Sequence, residues 1–307
     1  MGKAMAEFKA SIFKARRIRC LLWAAPLLVL PLSAGCAASA SGGSAALDRV
    51  GRTYYIDGAG NWGYGVTEVQ EGLRRAGYRG SIINYRWSPT FNPALDQTIG
   101  RVAARARGEK LGREISAYLH EYPENQVNII ALSAGTGVAV WACENVAPPA
   151  KVNSLILLGS SLSARYNMRK ALENISGGVW VYFSPYDQIL SGPVKALGTI
   201  DGEIGADSAG LVGLRPIGGS NDKIHNIGWS ARFERNGWSG AHTDATSEPF
   251  VRTVLSKHIL PQSSGELAQA PATAPAEAGE PATRPAGDSR PGRTRYLSRR
   301  SADDQGR

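Results

Sequence analysis

The chain contains few of the residues from which metal, redox and disulfide sites are built. Its 307 residues include four histidines and three cysteines, which are Cys20, Cys36 and Cys143. These residues lack the spacing of a zinc site, and no acidic loop has the spacing of a calcium site. We therefore expect no metal and no cofactor, and a fold that does not depend on an internal disulfide.

An excess of positive charge is lacking from the central part of the chain. Of the formal net charge of +9, +5 falls in residues 1–40 and +1 in residues 261–307, which leaves +3 for residues 41–260. A nucleic-acid-binding domain carries clustered basic residues on its folded part. We therefore expect no nucleic acid among the partners.

Long apolar segments are also absent, and the longest run lies near the start of the chain. This run covers Leu21–Leu32, is interrupted by two prolines and follows six basic residues. It is too short to span a bilayer comfortably, whereas a basic start and a short apolar core are typical of a cleaved export signal. Residues 1–35 are accordingly predicted to be a signal peptide.

Two cleavage sites follow this apolar run. Residues Leu32–Cys36 (LSAGC) resemble a bacterial lipoprotein box, which predicts cleavage before Cys36, lipidation of its thiol and a membrane-anchored protein of the cell envelope. Residues Ala38–Ala40 instead match the A-x-A pattern of an ordinary signal cleavage site. That alternative predicts a soluble periplasmic or secreted protein beginning at Ser41.

Composition divides the rest of the chain into three parts. Residues 36–50 are rich in Gly, Ser and Ala and are expected to be a flexible linker. Residues 51–260 carry the apolar patterns of a single folded domain. Residues 261–307 are rich in Ala, Pro and Arg and have almost no large apolar side chains, so we expect a disordered tail.

Short apolar segments alternate with helical periods inside this domain. Helical spacing relates Val66, Val69, Leu73 and Ala76, and again Ile99, Val102, Ala103 and Ala106. Strands are predicted over residues 53–56, 80–85, 127–132, 153–159 and 178–183. This alternation predicts an α/β fold with a mainly parallel sheet and helices on both faces. In such a fold, reactive loops gather at the carboxyl ends of the strands.

Ser133 follows one of these strands in the sequence NIIALSAGTG. The strand runs into a turn of small residues and then a small-residue helix predicted over residues 137–144. A serine at such a corner presents its hydroxyl to a substrate, and its neighbours must be small. The alternative is that Ser133 only caps the following helix.

A candidate acid and a candidate base lie further along the chain. Asp187 ends the turn-forming sequence SPYD directly after the strand over 178–183. His242 lies in a loop before a helix predicted over 248–259, with Thr246 or Ser247 as its cap. Three other aspartates, Asp201, Asp207 and Asp222, occur in Gly-rich loops without a preceding strand. Of the other histidines, His120 and His258 occur on predicted helices and are expected at the surface, and His225 occurs in the apolar run 224–229.

Residues 52–260 resemble an α/β-hydrolase, because Ser133, Asp187 and His242 match the order and context of its nucleophile, acid and base. The resemblance implies a serine hydrolase that cleaves a small-molecule carboxylic ester through an acyl-enzyme. Ala131 replaces the first glycine of the usual G-x-S-x-G pattern. One alternative is that the same residues cleave an amide or a thioester. The other is that the chain is a non-catalytic envelope protein of this fold.

The resemblance also implies an oxyanion hole, the set of N–H donors that binds the negative charge of the reaction intermediate. One donor is the backbone N–H of Ala134, and the second comes from the Gly-rich loop 57–65, where Ala59 is the first choice and Gly60 the next. The family usually has His-Gly where this chain has Asp57 and Gly58. The loop also contains G-x-G-x-x-G, but the sequence near residues 84–86 lacks the acidic ribose partner of a dinucleotide site.

The segment between the acid and the base is longer than the family pattern requires. Residues 190–222 are Gly-rich and are followed by Trp229, Phe233 and Trp238. This inserted segment is expected either to form a cap over the site or to be a surface excursion. Trp62, Tyr64 and Trp87 are further candidates for pocket walls.

Overall fold

The computed structural model describes residues 45–217 and 222–260. The predicted signal peptide, Cys36 and the C-terminal tail lie outside these ranges. Within the described residues, no helix combines the length and apolar character needed to cross a membrane.

A six-stranded sheet forms the centre of the domain. Its strands are β1 (Arg52–Ile56), β2 (Ser81–Asn84), β3 (Val127–Leu132), β4 (Val152–Leu158), β5 (Ile175–Phe183) and β6 (Ile224–Gly228). They pair in the order β2-β1-β3-β4-β5-β6, and every neighbouring pair is parallel. The predicted α/β fold class with a mainly parallel sheet is confirmed, and the apolar run that contains His225 is the sixth strand.

Helices connect these strands. They are α1 (Val66–Arg75), α2 (Pro93–Gln97), α3 (Arg101–Glu121), α4 (Gly135–Glu144), α5 (Arg169–Glu173), α6 (Lys195–Leu197), α7 (Ala209–Val212) and α8 (Glu248–Thr253). A π-helical turn at Leu190–Val194 precedes α6, and 3₁₀ turns occur at Ala231–Asn236, Asp244–Thr246 and Leu255–His258.

Two apolar clusters cover the two faces of the sheet. All six residues of β3 are buried, because a central parallel strand has helices on both sides and alternate side chains enter opposite clusters. The cluster on one face joins Ile129, Ala131, Leu155 and Leu157 to Leu111, Ile115, Val138 and Trp141 of α3 and α4. The cluster on the other face joins Tyr55, Ile130, Leu132 and Ile156 to Val69, Leu73 and Phe250 of α1 and α8.

Helix α3 forms as predicted, but its buried face is not the one that the apolar residues indicate. Ile99 and Val102 are 75% and 81% exposed. The buried face instead includes Gly108 and Gly112, where an added Cβ would approach Trp141 Cβ to 2.7 Å and Ala142 O to 2.6 Å. Helices α3 and α4 are therefore close enough that glycine is required between them, and glycine carries no apolar signal in the sequence.

The last helix is shorter than predicted. Instead of one helix over 248–259, α8 ends at Thr253 and a 3₁₀ turn follows. Ser247 occupies the cap position, but its hydroxyl donates to the carbonyl of Gly237 (3.1 Å) rather than accepting a helix N–H. The other predicted cap, Thr246, donates to the carbonyl of Thr243 (2.7 Å). Both hydroxyls therefore stabilise the preceding loop.

Candidate active site

The site lies where the connections of the sheet change direction. From β1 the chain moves to β2 on one side, and β3 then returns to the other side of β1. The loops after β1 and β3 therefore diverge and leave a crevice at the carboxyl ends of these strands, which is where open parallel sheets bind ligands. Ser133 follows β3, and the loop 57–65 follows β1.

Ser133 occupies the strand–turn–helix corner that its sequence predicts. Its φ is 53°, an uncommon conformation for a residue with a side chain. Its N–H donates to Leu158 O on β4 (3.0 Å), so the sheet ladder continues up to the turn. Two residues on, a Cβ at Gly135 would lie 2.4 Å from Asp57 O. The backbone of the β1 loop therefore excludes any side chain at that position.

Asp187 and His242 form a close hydrogen-bonded pair. Asp187 Oδ2 lies 2.6 Å from His242 Nδ1, although the two residues are 55 positions apart. The second carboxylate oxygen, Oδ1, accepts the N–H groups of Ile189 and Leu190, both at 3.0 Å. Asp187 is 2% exposed. Every oxygen of this buried carboxylate is thus bonded, and the pair orients the imidazole with its Nδ1 towards the acid.

Gly159 provides the space in which this pair fits. It follows β4 with a φ of 46°. An added Cβ would lie 3.2 Å from His242 Nδ1 and 3.3 Å from Asp187 Oδ2. Strand β4 contributes no side chain to the pair, yet the residue directly after this strand must be glycine for Asp187 and His242 to meet. Its sequence signal is a single glycine at the end of a predicted strand.

A cavity of about 800 Å³ opens beside Ser133 and His242, which both line it. Helix α2 and residues 189–197 both contribute to its lining. Trp62, Tyr64 and Tyr186 stand at its rim, each roughly half exposed or more. The described lining residues include no Asp, Glu, Lys or Arg, and His242 is the only histidine among them. The cavity is therefore suited to a neutral ligand.

The two preferred oxyanion donors border the nucleophile. The N–H of Ala134 lies at the start of α4, where N–H groups have no acceptor within the helix. The loop after β1 passes close by, because a Cβ on Gly58 would lie 3.2 Å from Ser133 Cβ. Ala59 follows and lines the cavity. Ala59 thus lines the same cavity as Ser133, and Ala134 follows Ser133 directly in the chain.

The side chain of Asp57 stabilises this loop by accepting hydrogen bonds from the loop backbone. Its two carboxylate oxygens accept the N–H groups of Gly58 and Gly63, each at 2.7 Å. Burial raises the pKa of the Asp57 carboxyl, and these hydrogen bonds partly oppose the rise. Where the hydrolase pattern has histidine, this chain therefore has a buried carboxylate that shapes the loop.

Asp96 of α2 holds the same loop from the other side. It is fully buried, and its Oδ2 accepts the N–H of Gly60 at 2.7 Å. Its Oδ1 accepts the hydroxyl of Thr90 at 2.6 Å. The N–H of Gly60, the alternative oxyanion donor, is therefore already bonded to a carboxylate, which favours Ala59. Asp96 had no sequence signal, since it lies on a short helix within a polar stretch.

The same bonds argue against a nucleotide phosphate in this loop. All three glycines of G-x-G-x-x-G, Gly58, Gly60 and Gly63, donate their N–H groups to Asp57 or Asp96. A phosphate-binding loop needs those N–H groups for its ligand. Two buried carboxylates would also repel the phosphate.

The other histidines lie away from this cavity. His225 on β6 and His258 stack on opposite sides of the Trp180 ring, at centroid distances of 4.1 and 3.8 Å. His258 Nε2 also lies 2.8 Å from the hydroxyl of Tyr182. The expectation that His258 is a surface residue is wrong, and burial lowers the pKa of His258 to about 4. His120 is exposed near the end of α3, as expected.

Two serines that follow β4, Ser160 and Ser161, and the alternative acids Asp201 and Asp207 lie outside this cavity. Ser160 Oγ lies 2.8 Å from Thr136 Oγ1, and Ser161 is fully buried. Asp201 accepts the N–H and hydroxyl of Ser163 at 2.8 and 2.6 Å. Asp207 pairs with Lys195. None of these side chains lines the cavity of Ser133 and His242.

The inserted segment is divided between two roles. Its first part, with Pro193, Val194 and Leu197, forms a wall of the cavity. Its next part is anchored in the core, where Thr199 and Ile200 are fully buried. Of the aromatic residues considered as pocket walls, Trp62 and Tyr64 line the cavity. Trp87, Phe233 and Trp238 are buried in the core, and Trp229 packs against the core while partly buried.

The part of the chain that the structure describes contains no group of three His, Cys, Asp or Glu side chains arranged to hold a metal ion. The lone described cysteine, Cys143, is fully buried in α4, and burial raises the pKa of its thiol. Cys143 therefore acts as a small core residue.

No family model matches the chain, and no curated protein matches it. Solved structures similar to it include RedJ with a PEG molecule in its active site, at 12% identity and a TM-score of 0.33, covering 69% of this chain and 90% of that one. A covalent complex of the NocB thioesterase domain with a fluorophosphonate nocardicin G analogue has 13% identity and a TM-score of 0.31, with 69% and 96% covered. Carboxyl esterase 2 of the mycorrhizal fungus Tuber melanosporum has 11% identity and a TM-score of 0.32, with 69% and 76% covered. Similarity at this level carries no argument about activity.

Proposed function

We propose that the protein is an exported serine hydrolase that cleaves carboxylic esters with Ser133, His242 and Asp187. The observation that carries the proposal is the 2.6 Å contact between Asp187 and His242 at the cavity that Ser133 also lines. A nucleophile, a base and a group that orients the base are the minimum set for acyl transfer by serine. A non-catalytic protein has no need to keep all three together.

The proposed reaction has two acyl-transfer steps. His242 Nδ1 donates to Asp187, so Nε2 is left to accept the proton of the Ser133 hydroxyl as its oxygen attacks the ester carbonyl. The tetrahedral oxyanion is bound by the N–H groups of Ala134 and Ala59. Its collapse breaks the bond to the alcohol, which takes the proton from His242. Water then attacks the acyl-enzyme by the same route and releases the carboxylic acid.

Covalent labelling of the full-length protein with a fluorophosphonate tests this proposal. We expect Ser133 to be phosphonylated with loss of esterase activity, because the reagent captures a serine that an adjacent base activates. The Ser133→Ala variant should keep its far-UV circular dichroism and lose labelling. Labelling of Ser160 or Ser161 instead would show that the nucleophile is wrong, and an unlabelled, inactive protein would favour the non-catalytic alternative.

We also propose that Cys36 anchors the protein to a membrane of the cell envelope. The basic start, the short apolar run and the sequence LSAGC support this proposal. Mass spectrometry of protein purified from bacterial membranes should find acylated Cys36 at the mature N-terminus. An N-terminus at Ser41 would indicate a soluble exported enzyme, and a retained Met1 would contradict export in either form.

A further inference from the structure

The cavity beside Ser133 has two long walls made almost entirely of hydrocarbon. Helix α2 contributes Pro93 and Ala94 to one wall, and the segment 189–197 contributes Ile189, Val194 and Leu197 to the other. Apolar walls around one cavity favour an apolar ligand segment within it. The volume of about 800 Å³ is near the upper end of the roughly 300–1,000 Å³ typical of small-molecule sites, so an acetyl group would leave most of it empty.

The polar groups of these walls are already bonded to each other. Gln97, 4% exposed, donates its amide Nε2 to Gly198 O at 3.0 Å. Arg101 donates from its guanidinium to Leu197 O at 2.9 Å. Both bonds join the α2–α3 region to residues 197 and 198 of the inserted segment. The two walls are therefore tied together at this end, and Arg101 does not line the cavity.

The rim of the cavity extends this apolar surface. Trp62 and Tyr64 stand on the loop after β1, and Tyr186 stands beside the acid, with 59%, 47% and 65% of their surfaces exposed. The indole of Trp62 is held by a hydrogen bond to Phe91 O at 3.0 Å. Large apolar side chains exposed together at the entrance of a pocket mark a binding surface.

From these observations, and resting on the proposed function, we propose that the substrates are neutral esters with a long hydrocarbon chain. The ester carbonyl lies at Ser133, and the chain lies between α2 and residues 189–197. A chain that ends in a carboxylate or ammonium is excluded, because no described lining residue would pair with that charge. Two series of esters, one lengthened on the acyl side and the other on the alcohol side, show which side of the ester carries this chain.

Steady-state kinetics of the full-length protein on these two series test the proposal. The first series is p-nitrophenyl acetate to octanoate, and the second is ethyl to octyl acetate. We expect kcat/KM to rise at least tenfold along one of them, since each added buried methylene contributes to binding. The series that rises identifies the side of the ester that carries the chain. A suberate mono-p-nitrophenyl ester, which has the length of the octanoate but ends in a carboxylate, should be at least tenfold poorer than the octanoate.

A charge placed in the wall should remove this preference. Leu197 is 38% exposed, so Leu197→Asp is expected to fold, and the kcat/KM ratio of long to short ester should fall at least tenfold. Ile217→Asp is the matched control, because Ile217 is 65% exposed and does not line the cavity. Its ratio should match the wild type. Leu197→Gln provides the same test without a charge if the aspartate variant does not fold.

The outcomes separate the two proposals. Phosphonate labelling of Ser133 and turnover of short esters, with both series flat, would overturn the chain proposal and leave the hydrolase intact. If kcat/KM rises with chain length and Leu197→Asp leaves that rise unchanged, the chain proposal is also overturned, because the hydrocarbon chain would then lie elsewhere. Absence of labelling and of all ester turnover would overturn both.

Discussion

Two regions of this domain hold a partly buried histidine, and their partners differ. At the carboxyl ends of the strands, His242 contacts the carboxylate of Asp187 and opens onto a cavity. Beside β5 and β6, His258 contacts the phenol of Tyr182 and lies flat on Trp180. Burial beside neutral groups disfavours the charged imidazole, whereas a carboxylate stabilises the imidazolium that a general base must form. The partner, not burial, distinguishes a catalytic from a structural histidine.

Alanine variants of His242 and of His225, the second histidine stacked on Trp180, test this contrast most strongly. His242→Ala should lower kcat by several orders of magnitude, on the order of 10⁶ if the three residues act as one unit. His225→Ala should leave kcat close to the wild-type value and lower the thermal stability of the β6 edge. Both variants are assayed on the same ester, with thermal unfolding as a check of folding. An active His242→Ala beside a folded but inactive His225→Ala would reverse the assignment.

The carboxylate partner itself is tested by an isosteric change. Asp187→Asn keeps the shape of the side chain but places an amide against His242 Nδ1, which favours the wrong imidazole tautomer. We expect kcat to fall about 10⁴-fold, with phosphonate labelling of Ser133 slowed to a similar degree. A loss of less than tenfold in a folded protein would mean that Asp187 only supports the segment that follows it.

A smaller effect is expected from Asp96, which acts through the oxyanion loop. In Asp96→Asn, a neutral amide replaces the carboxylate that accepts the N–H of Gly60 and the hydroxyl of Thr90, so the bond that holds Gly60 becomes weaker. Since removing an oxyanion donor costs about 10²–10³ in kcat, loosening the loop that carries Ala59 should cost about 10–10² with little change in KM. Asp201→Asn, which also loses a carboxylate bonded to a backbone N–H, is the control. Equal kcat losses in the two variants would indicate general destabilisation.

The smallest effect on activity, and a distinct effect on stability, is expected at His258. Its pKa of about 4 lies below the ordinary value of 6.5 because burial disfavours its charged form. The folded state therefore binds this proton less readily than the unfolded state, and stability falls as pH drops from about 6.5 to 4, by roughly 3 kcal/mol in total.

Urea unfolding at pH 7.0 and 4.5 measures this loss. The variant His258→Phe can keep the stack on Trp180 and cannot titrate, so its stability should depend less on pH than that of the wild type. Its esterase activity at pH 7 should change less than twofold. If both proteins lose the same stability on acidification, other groups cause the loss.

The sequence predicts the parts of the site that follow strands and misses those that act through backbone packing. Ser133, Asp187 and His242 are polar residues at the ends of apolar segments, and parallel strands bring such ends to one edge of the sheet. Asp96 and Gly159 act only through contacts with distant segments, at 2.7 Å to Gly60 N and around the acid–base pair. Their roles depend on distances that no local pattern contains.

The same reasoning explains the errors in the fold. The sheet follows from runs of β-branched residues, which favour strands wherever they are buried. The buried face of α3 does not follow from its apolar residues, because Gly108 and Gly112 lie against α4 while Val102 is exposed. Close helix packing requires glycine at the contact, and a hydropathy pattern does not reveal such positions because glycine has no side chain.

The two oxygens of Asp187 link the acid to the wall of the cavity. One binds His242, and the other accepts the N–H groups of Ile189 and Leu190 at the start of the segment that ends in Leu197. A movement of this segment that broke those two bonds would also release the carboxylate that orients the base. Opening of the wall and separation of Asp187 from His242 are thus expected to be coupled, so a ligand that holds the wall in place should also favour the hydrogen-bonded arrangement of Asp187 and His242.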